Sequence, residues 1–273
     1  HFGVEETGNA LNDPQQEFVG LNILYVANSI SETANFSRQH ENEVATSLER
    51  SKKILFRLRA QRPRPHRDDK IIAGWNGLMI SAFARAAQAL DEPKYVHAAQ
   101  HAAGFIVARL HNEQTHSLLR RYRDGEAKFE ALLDDYAFFV QGVIDLYEST
   151  FDDRWMNLAI QLTQRQLELF WDETRGGFFD TPGTDPSILV RTKEQYDGAE
   201  PTGNSIAVMN LLRISHMTHN DDWQKKASKT LSVFGETLQS APFTMPQMVA
   251  AYDFSIQKTK QIVIAGKKGD EEA

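Results

Sequence analysis

Cysteine is missing from all 273 residues, which excludes disulfides, thiolate metal sites and thiol nucleophiles within this chain. Apolar runs of the roughly 18 residues that span a membrane are missing too. So are runs of Lys or Arg long enough to follow a phosphate backbone, and 30 basic residues against 37 acidic ones leave a formal charge of -7. Neither a membrane nor nucleic acid is therefore an expected partner. The sequence opens at His1 without an initiator Met or a charged or apolar leader, and reads as an internal fragment, with the cytoplasm as the expected compartment. What is present is ordinary for a globular protein: 41 % hydrophobic and 25 % charged residues, over a length that supports one large core.

Three blocks repeat in pattern. Tyr95, Trp155 and Trp223 correspond, 60 and 68 residues apart, each just after an acidic turn: Asp91-Glu92-Pro93, Asp152-Asp153 and Asp221-Asp222. A repeat this long, with two helices per block, suggests a toroid of helical hairpins rather than a short-repeat solenoid. The first helix of each block is apolar on nearly every side, as in Leu78 to Leu90, Tyr136 to Tyr147 and Ile206 to Ile214, and is expected to be buried all round. The second carries a single stripe, exemplified by Trp223, Ala227, Leu231, Phe234 and Leu238 with Lys225, Lys226 and Lys229 opposite, and belongs outside. Alternation of the two kinds predicts an inner and an outer ring of helices, an all-α (α/α) toroid. Helices over about Asn42 to Leu58 and Pro246 to Phe254 bring the count to four hairpins at most, short of a full six-hairpin ring. One domain over residues 1–273 is expected. Two stretches have no place in the repeat: Gly20 to Val26, which reads as extended, and residues 257–273, where a strand over Gln261 to Ala265 would begin a separate tail.

The connections differ by direction. Inner-to-outer links are tight turns, whereas outer-to-inner links are long: Arg62 to Gly74, His111 to Ala131 and Asp172 to Pro201. Antiparallel packing puts every long link on the face where inner helices start, and long loops on a rigid scaffold are where binding surfaces are built. Two links are expected to make small β excursions. One runs from Leu118 to Tyr122, turns at Asp124-Gly125 and returns over Ala127 to Phe129; the other runs from Gly177 to Asp180 and returns through Ile188 to Arg191.

Polar residues gather at these helix starts: Asp68-Asp69-Lys70 before Trp75-Asn76-Gly77, Asp134-Asp135-Tyr136, and Glu200-Pro201-Thr202-Gly203-Asn204-Ser205. One reading is capping of free N–H groups, with Asp134 and Thr202 at the expected N-cap positions. The other is catalytic: Asp69, Asp135 and Glu200 converge on a central cleft, one carboxylic acid protonating a leaving oxygen while another carboxylate activates water or attacks. Asn76 and Asn204 would then orient substrate hydroxyls, with Asp134 and Asp180 also contacting substrate. Trp75, Tyr136, Phe178 and Phe179 would stack on a sugar ring or else pack in the core. Arg120, Arg121 and Arg123 either bind the carboxylate of an acidic sugar or form a solvated charged strand. No metal site is expected, because His97 and His101 stand at i, i+4 without a carboxylate companion, and no cofactor is expected. Gly176-Gly177 and Gly266-Lys267-Lys268-Gly269 complete no phosphate-binding pattern and read as turns.

The run Arg62-Pro63-Arg64-Pro65-His66-Arg67-Asp68-Asp69-Lys70, followed by Trp75-Asn76-Gly77-Leu78-Met79, resembles a specific family, the thioredoxin-domain-containing proteins that include spermatogenesis-associated protein 20 and its bacterial relatives. Phe2-Gly3-Val4, Gly8-Asn9, Leu133-Asp134-Asp135-Tyr136-Ala137, Gly176-Gly177-Phe178-Phe179-Asp180 and the run from Glu200 to Ser205 extend the likeness over nearly the whole chain. The resemblance implies a six-hairpin glycosidase-like barrel, related in fold to acylglucosamine and cellobiose epimerases and to several glycoside hydrolases. It also implies a thioredoxin-like domain ahead of the barrel and a barrel that begins before His1. Paired histidines such as the epimerases use are absent from the inner-helix starts, since His216 and His219 sit at the far end of their helix, so epimerase chemistry is disfavoured. The leading expectation is a carbohydrate-active or sugar-binding barrel working through carboxylates, with a glycan as ligand. The rival is a non-enzymatic recognition module serving the thioredoxin-like domain.

Overall fold

The computed structural model describes residues 1–10 and 12–258. Contacts divide the chain into two compact units, one spanning His1–Asp68 and the other starting at Asp69.

The first unit opens with a loop in which the described residues up to Asn28, Gly20 to Val26 included, form no strand. Asparagine side chains pin it. Asn9 Nδ2 donates to the carbonyls of Gly3 (2.7 Å) and Ile23 (2.8 Å) while its Oδ1 accepts from the Ile23 amide, and Asn22 exchanges two bonds with the Glu5 backbone. Two helices follow, α1 (Ile30–Ser37) and α2 (Glu41–Ala60), packed on each other. The first has a full capping box between Ser29 and Glu32; it has no counterpart in the sequence expectations. The second matches the helix expected over Asn42 to Leu58.

The second unit is the hairpin toroid. Its inner helices are α3 (Ala73–Leu90), α5 (Leu133–Thr150), α7 (Gly203–Thr218) and α10 (Pro246–Ile256), which pack in that order. Its outer helices α4 (Pro93–Leu110), α6 (Asp153–Phe170) and α8 (Asp221–Val233) each lie against the inner helix that precedes them; a short α9 (Gly235–Ser240) and a single 3-10 turn lead into α10. The inner-to-outer turns share one geometry. Asp91, Phe151 and His219 each end an inner helix in the left-handed region (φ 52°, 52° and 55°), and one extended residue then starts the outer helix. Close approach of α3 and α5 requires glycine on both, because a Cβ on Gly77 would meet the Phe138 backbone and one on Gly142 the Gly77 carbonyl.

The core is the apolar flank of α5, with Tyr136, Phe138, Phe139, Val143, Ile144 and Leu146 buried, closed by Phe170, Phe178, Leu211 and Phe234. Charged groups lie within it. Asp145 on α5 accepts from Ser81 and Arg85 on α3 and from Arg213 on α7 (2.6 Å), joining three inner helices, and Arg213 reaches on to Glu148 (2.8 Å). A buried carboxylate with hydrogen bonds from two guanidinium groups keeps its charge compensated.

The expected hairpin between α4 and α5 is present as β3 (Ser117–Arg123) and β4 (Glu126–Glu130), with Asp124 and Gly125 at φ 52° and 81° in the turn. Two-residue strands extend it to four: β1 (Ile71–Ile72) pairs with Arg121 and Tyr122, and β2 (His111–Asn112) pairs with Ser117 and Leu118. The second expected excursion is corrected. Gly177 to Asp180 makes only an isolated bridge, Phe178 to Trp171, and Ile188 to Arg191 forms no strand. Pro182, Gly183 and Pro186 interrupt that return, and proline cannot donate to a ladder. Side chains hold the loop instead: the Arg191 guanidinium donates to the carbonyls of Thr181 and Leu169 and lies 4.1 Å over the Phe179 ring. The strand expected over Gln261 to Ala265, the Gly266 to Gly269 turn and the rest of the tail from residue 259 lie outside the described residues.

Candidate functional site

At the starts of α5 and α7 the long 172–201 link forms the wall of a cleft of about 450 Å³. Asp134, Phe138, Asp180, Glu194, Tyr196 and Glu200 line it, with the backbone of Gly198 to Gly203 closing one side. Four carboxylates thus share one concavity, with no Lys, Arg or His among the lining residues.

Helix phase separates the two aspartates of the Asp134-Asp135 pair. Because α5 begins at Leu133, Leu132 is the N-cap and Asp135 the third helical residue, whose carboxylate turns back onto the Leu132 amide (3.0 Å). The expectation that Asp134 caps this helix is therefore corrected, whereas Thr202 does cap α7 by accepting from the Ser205 amide (3.1 Å). Asp135 is 1 % exposed, and it also accepts from the Gly74 amide (3.0 Å) at the start of α3 and from Arg120 Nη1 (2.6 Å) on β3. Burial, reinforced by the neighbouring Asp134 charge, pushes its carboxyl up to about 6 against the opposing pull of Arg120 and the two amides. Asp134 points to the cleft, one-third exposed, with Arg120 Nη1 at 3.2 and 3.4 Å from its two oxygens.

Across the cleft, Asp180 accepts from the Thr192 hydroxyl (2.9 Å) and the Glu194 amide (3.0 Å). Burial raises its carboxyl above the usual range, and the charges of Glu194 and Asp134 add to that rise. Glu200 accepts from Trp75 Nε1 (2.9 Å), so the tryptophan is oriented by the acid while 58 % of it stays exposed. An indole fixed at its polar edge and open on its face is a stacking surface.

Other expected site residues lie elsewhere. Asp69 forms an ion pair with Arg123 (2.9 Å) and is not part of the cleft lining. Asn76 donates to the Ile72 carbonyl one turn back (2.9 Å). Tyr136 is not a platform: it is fully buried against Phe170, with its hydroxyl accepting from the Leu118 amide (2.9 Å). Asn204 does not face a substrate either, because it is fully buried and clamps both backbone groups of Phe178 at 2.8 Å. Phe178 is core, and Phe179 is covered by Arg191 and Lys193. Arg120 and Arg123 are occupied by aspartates rather than open to an acidic sugar.

Glu194 and Tyr196 have no counterpart among the expectations, since they sit in an irregular link without periodicity. Their placement depends on Asp197, which is buried and accepts from the Thr202 amide (2.8 Å) and the Gln247 amide (2.9 Å), tying the link to the starts of α7 and α10.

No family model matches the sequence. Human spermatogenesis-associated protein 20 is 34 % identical over 98 % of this chain, which spans about a third (36 %) of that protein's length. Among solved structures, the GH76 α-mannanase of Bacteroides thetaiotaomicron aligns with a TM-score of 0.56 and 13 % identity, covering 69 % of this chain and 53 % of the mannanase. Cellobiose 2-epimerase of Bacillus thermoamylovorans aligns with a TM-score of 0.53 and 14 % identity, covering 64 % of this chain and 47 % of the epimerase. The chain is thus a homologue of spermatogenesis-associated protein 20, matched over about a third of that protein, with the (α/α) fold of six-hairpin glycosidase-like enzymes.

Proposed function

We propose that the cleft at the inner-helix starts binds a glycan and acts on it by carboxylate acid/base chemistry. The observation that carries this reading is the convergence of Asp134, Asp180, Glu194 and Glu200 on one concavity, beside an exposed indole held by Glu200. Asp180, raised by burial, is the general acid that protonates a leaving oxygen. Asp134, whose charge acts on Asp180, is the carboxylate that activates water or attacks. Glu200 and Trp75 form the binding wall. The Asp69 and Asp135 roles expected from the sequence pass to Asp180 and Asp134, because Asp69 is paired with Arg123 away from the cleft lining and Asp135 is buried beneath it. The carbohydrate-active proteins that share the fold support sugar as the ligand class, and two different reactions among them leave the reaction to be argued from this site.

The test is calorimetric titration and product analysis with α-mannan oligosaccharides and cellobiose, on the wild-type chain and on Asp180→Asn and Glu200→Gln. Glu200→Gln should weaken binding, and Asp180→Asn should abolish turnover while binding persists. Unchanged binding and turnover in both variants would sink the assignment.

A further inference from the structure

Arg120 stands outside the cleft and on neither helix that forms it, yet one of its nitrogens touches both carboxylates at the start of α5. The guanidinium is held at both ends. At its base, β3 pairs with β4 through Leu119↔Glu130 and Arg121↔Lys128 on either side of Arg120, and with β1 through Arg121↔Ile72. At its tip, Asp135 Oδ2 accepts at 2.6 Å from below. Asp135 is closed to a ligand because it is 1 % exposed, with two backbone amides and Arg120 already donating to it. The free edge of the unit is Asp134, which accepts from the same Nη1 and from the Asp135 amide (3.0 Å).

Adjacent carboxylates repel, and a partly exposed aspartate at the second position of a helix has several open rotamers. A guanidinium lodged against both offsets part of the repulsion and selects one rotamer. We propose that Arg120 is a positioning residue, which fixes the cleft-facing carboxylate of Asp134 against the buried carboxylate of Asp135. This rests on the reading of the cleft as a glycan site. The β3–β4 hairpin, a side excursion in a helical toroid, then has a purpose: it carries this guanidinium to the start of α5.

The test compares the full chain with Arg120→Lys, Arg120→Gln and the double variant Arg120→Gln/Asp135→Asn. The double variant guards against misfolding, because it removes the buried charge that Arg120→Gln would leave without a partner. Without any ligand, three-bond couplings of the Asp134 side chain should report one rotamer in the wild type and an average in the double variant. The Asp135 carboxyl carbon should titrate at higher pH in Arg120→Gln and return toward the wild-type midpoint in Arg120→Lys. For a glycan that the wild type binds, affinity in the double variant should fall about tenfold. A single Asp134 rotamer in the double variant, or wild-type affinity there, would overturn the proposal, since Arg120 would then serve only to neutralise Asp135. If no glycan binds the wild type, the sugar reading fails while the coupling measurement still decides the role of Arg120.

Discussion

Asp135 makes the stability of this protein depend on pH in an unusual direction. A carboxyl raised from 3.8 to about 6 by folding binds its proton more tightly in the native state than in the unfolded chain. Its contribution is fully present below the unfolded value of 3.8 and is lost as pH rises through 6. At about 1.36 kcal/mol per pH unit, that loss amounts to about 3 kcal/mol, little screened because the residue is 1 % exposed. Asp172 has the opposite shift, held at about 2 chiefly by its hydrogen bond to Lys193, and loses its contribution only as pH falls toward that value, below the range in which Asp135 acts. Comparison with Asp135→Asn isolates the group, because the amide does not titrate. The assay is urea unfolding of both proteins from pH 4.5 to pH 7.5. Relative to the variant, the wild type should lose stability as pH rises, by about 2 kcal/mol across the window, which begins above the unfolded value. A difference that stays flat, or that favours the wild type increasingly at high pH, would refute the account of how Asp135 is held.

Tyr136→Phe should cost about 1–3 kcal/mol, because the buried Leu118 amide loses its acceptor, and should leave glycan affinity unchanged; thermal unfolding beside calorimetry checks both. Asp145→Ala should cost about 3–5 kcal/mol by leaving the 8 %-exposed Arg213 without its buried partner, which denaturant unfolding measures. Uronate oligosaccharides should bind more weakly than neutral ones of the same length, because no cation lines the cleft and both nearby arginines are spent on aspartates. Competition titration would contradict this if uronates won.

The architecture was legible in the sequence because its signals are periodic. Of the helices apolar on every side, α5 and α7 are buried nearly all round as expected, whereas α3 is corrected, leaving Met79, Ala82 and Leu90 exposed because the helices packed on it are α4 and α5; the acidic turns Asp91-Glu92-Pro93, Asp152-Asp153 and Asp221-Asp222 recur with the blocks. The β3–β4 hairpin announced itself through Asp124-Gly125, whereas β1 and β2, two residues each, exist only through pairing with β3 and carry no pattern of their own. At the site, the right face was legible and individual roles were not. Each helical residue turns the side chain by about 100°, so a start at Leu133 sends Asp135 inward and Asp134 to the cleft. The same phase buries Tyr136, and Asn204 turns to the Phe178 backbone instead of the opening. Arg120 was visible as a charged strand residue, but its meeting with Asp134 and Asp135 depends on strand register, which composition does not encode.

The central claim is that a glycan stacks on Trp75 beside Glu200. Intrinsic fluorescence tests it most directly, because Trp75 is 58 % exposed while Trp155, Trp171 and Trp223 are buried. Titration with α-mannan oligosaccharides and cellobiose should give a saturable change in the wild type that disappears in Trp75→Phe. A saturable change that survives in Trp75→Phe would place the sugar elsewhere, and no saturable change with any of them would contradict the claim.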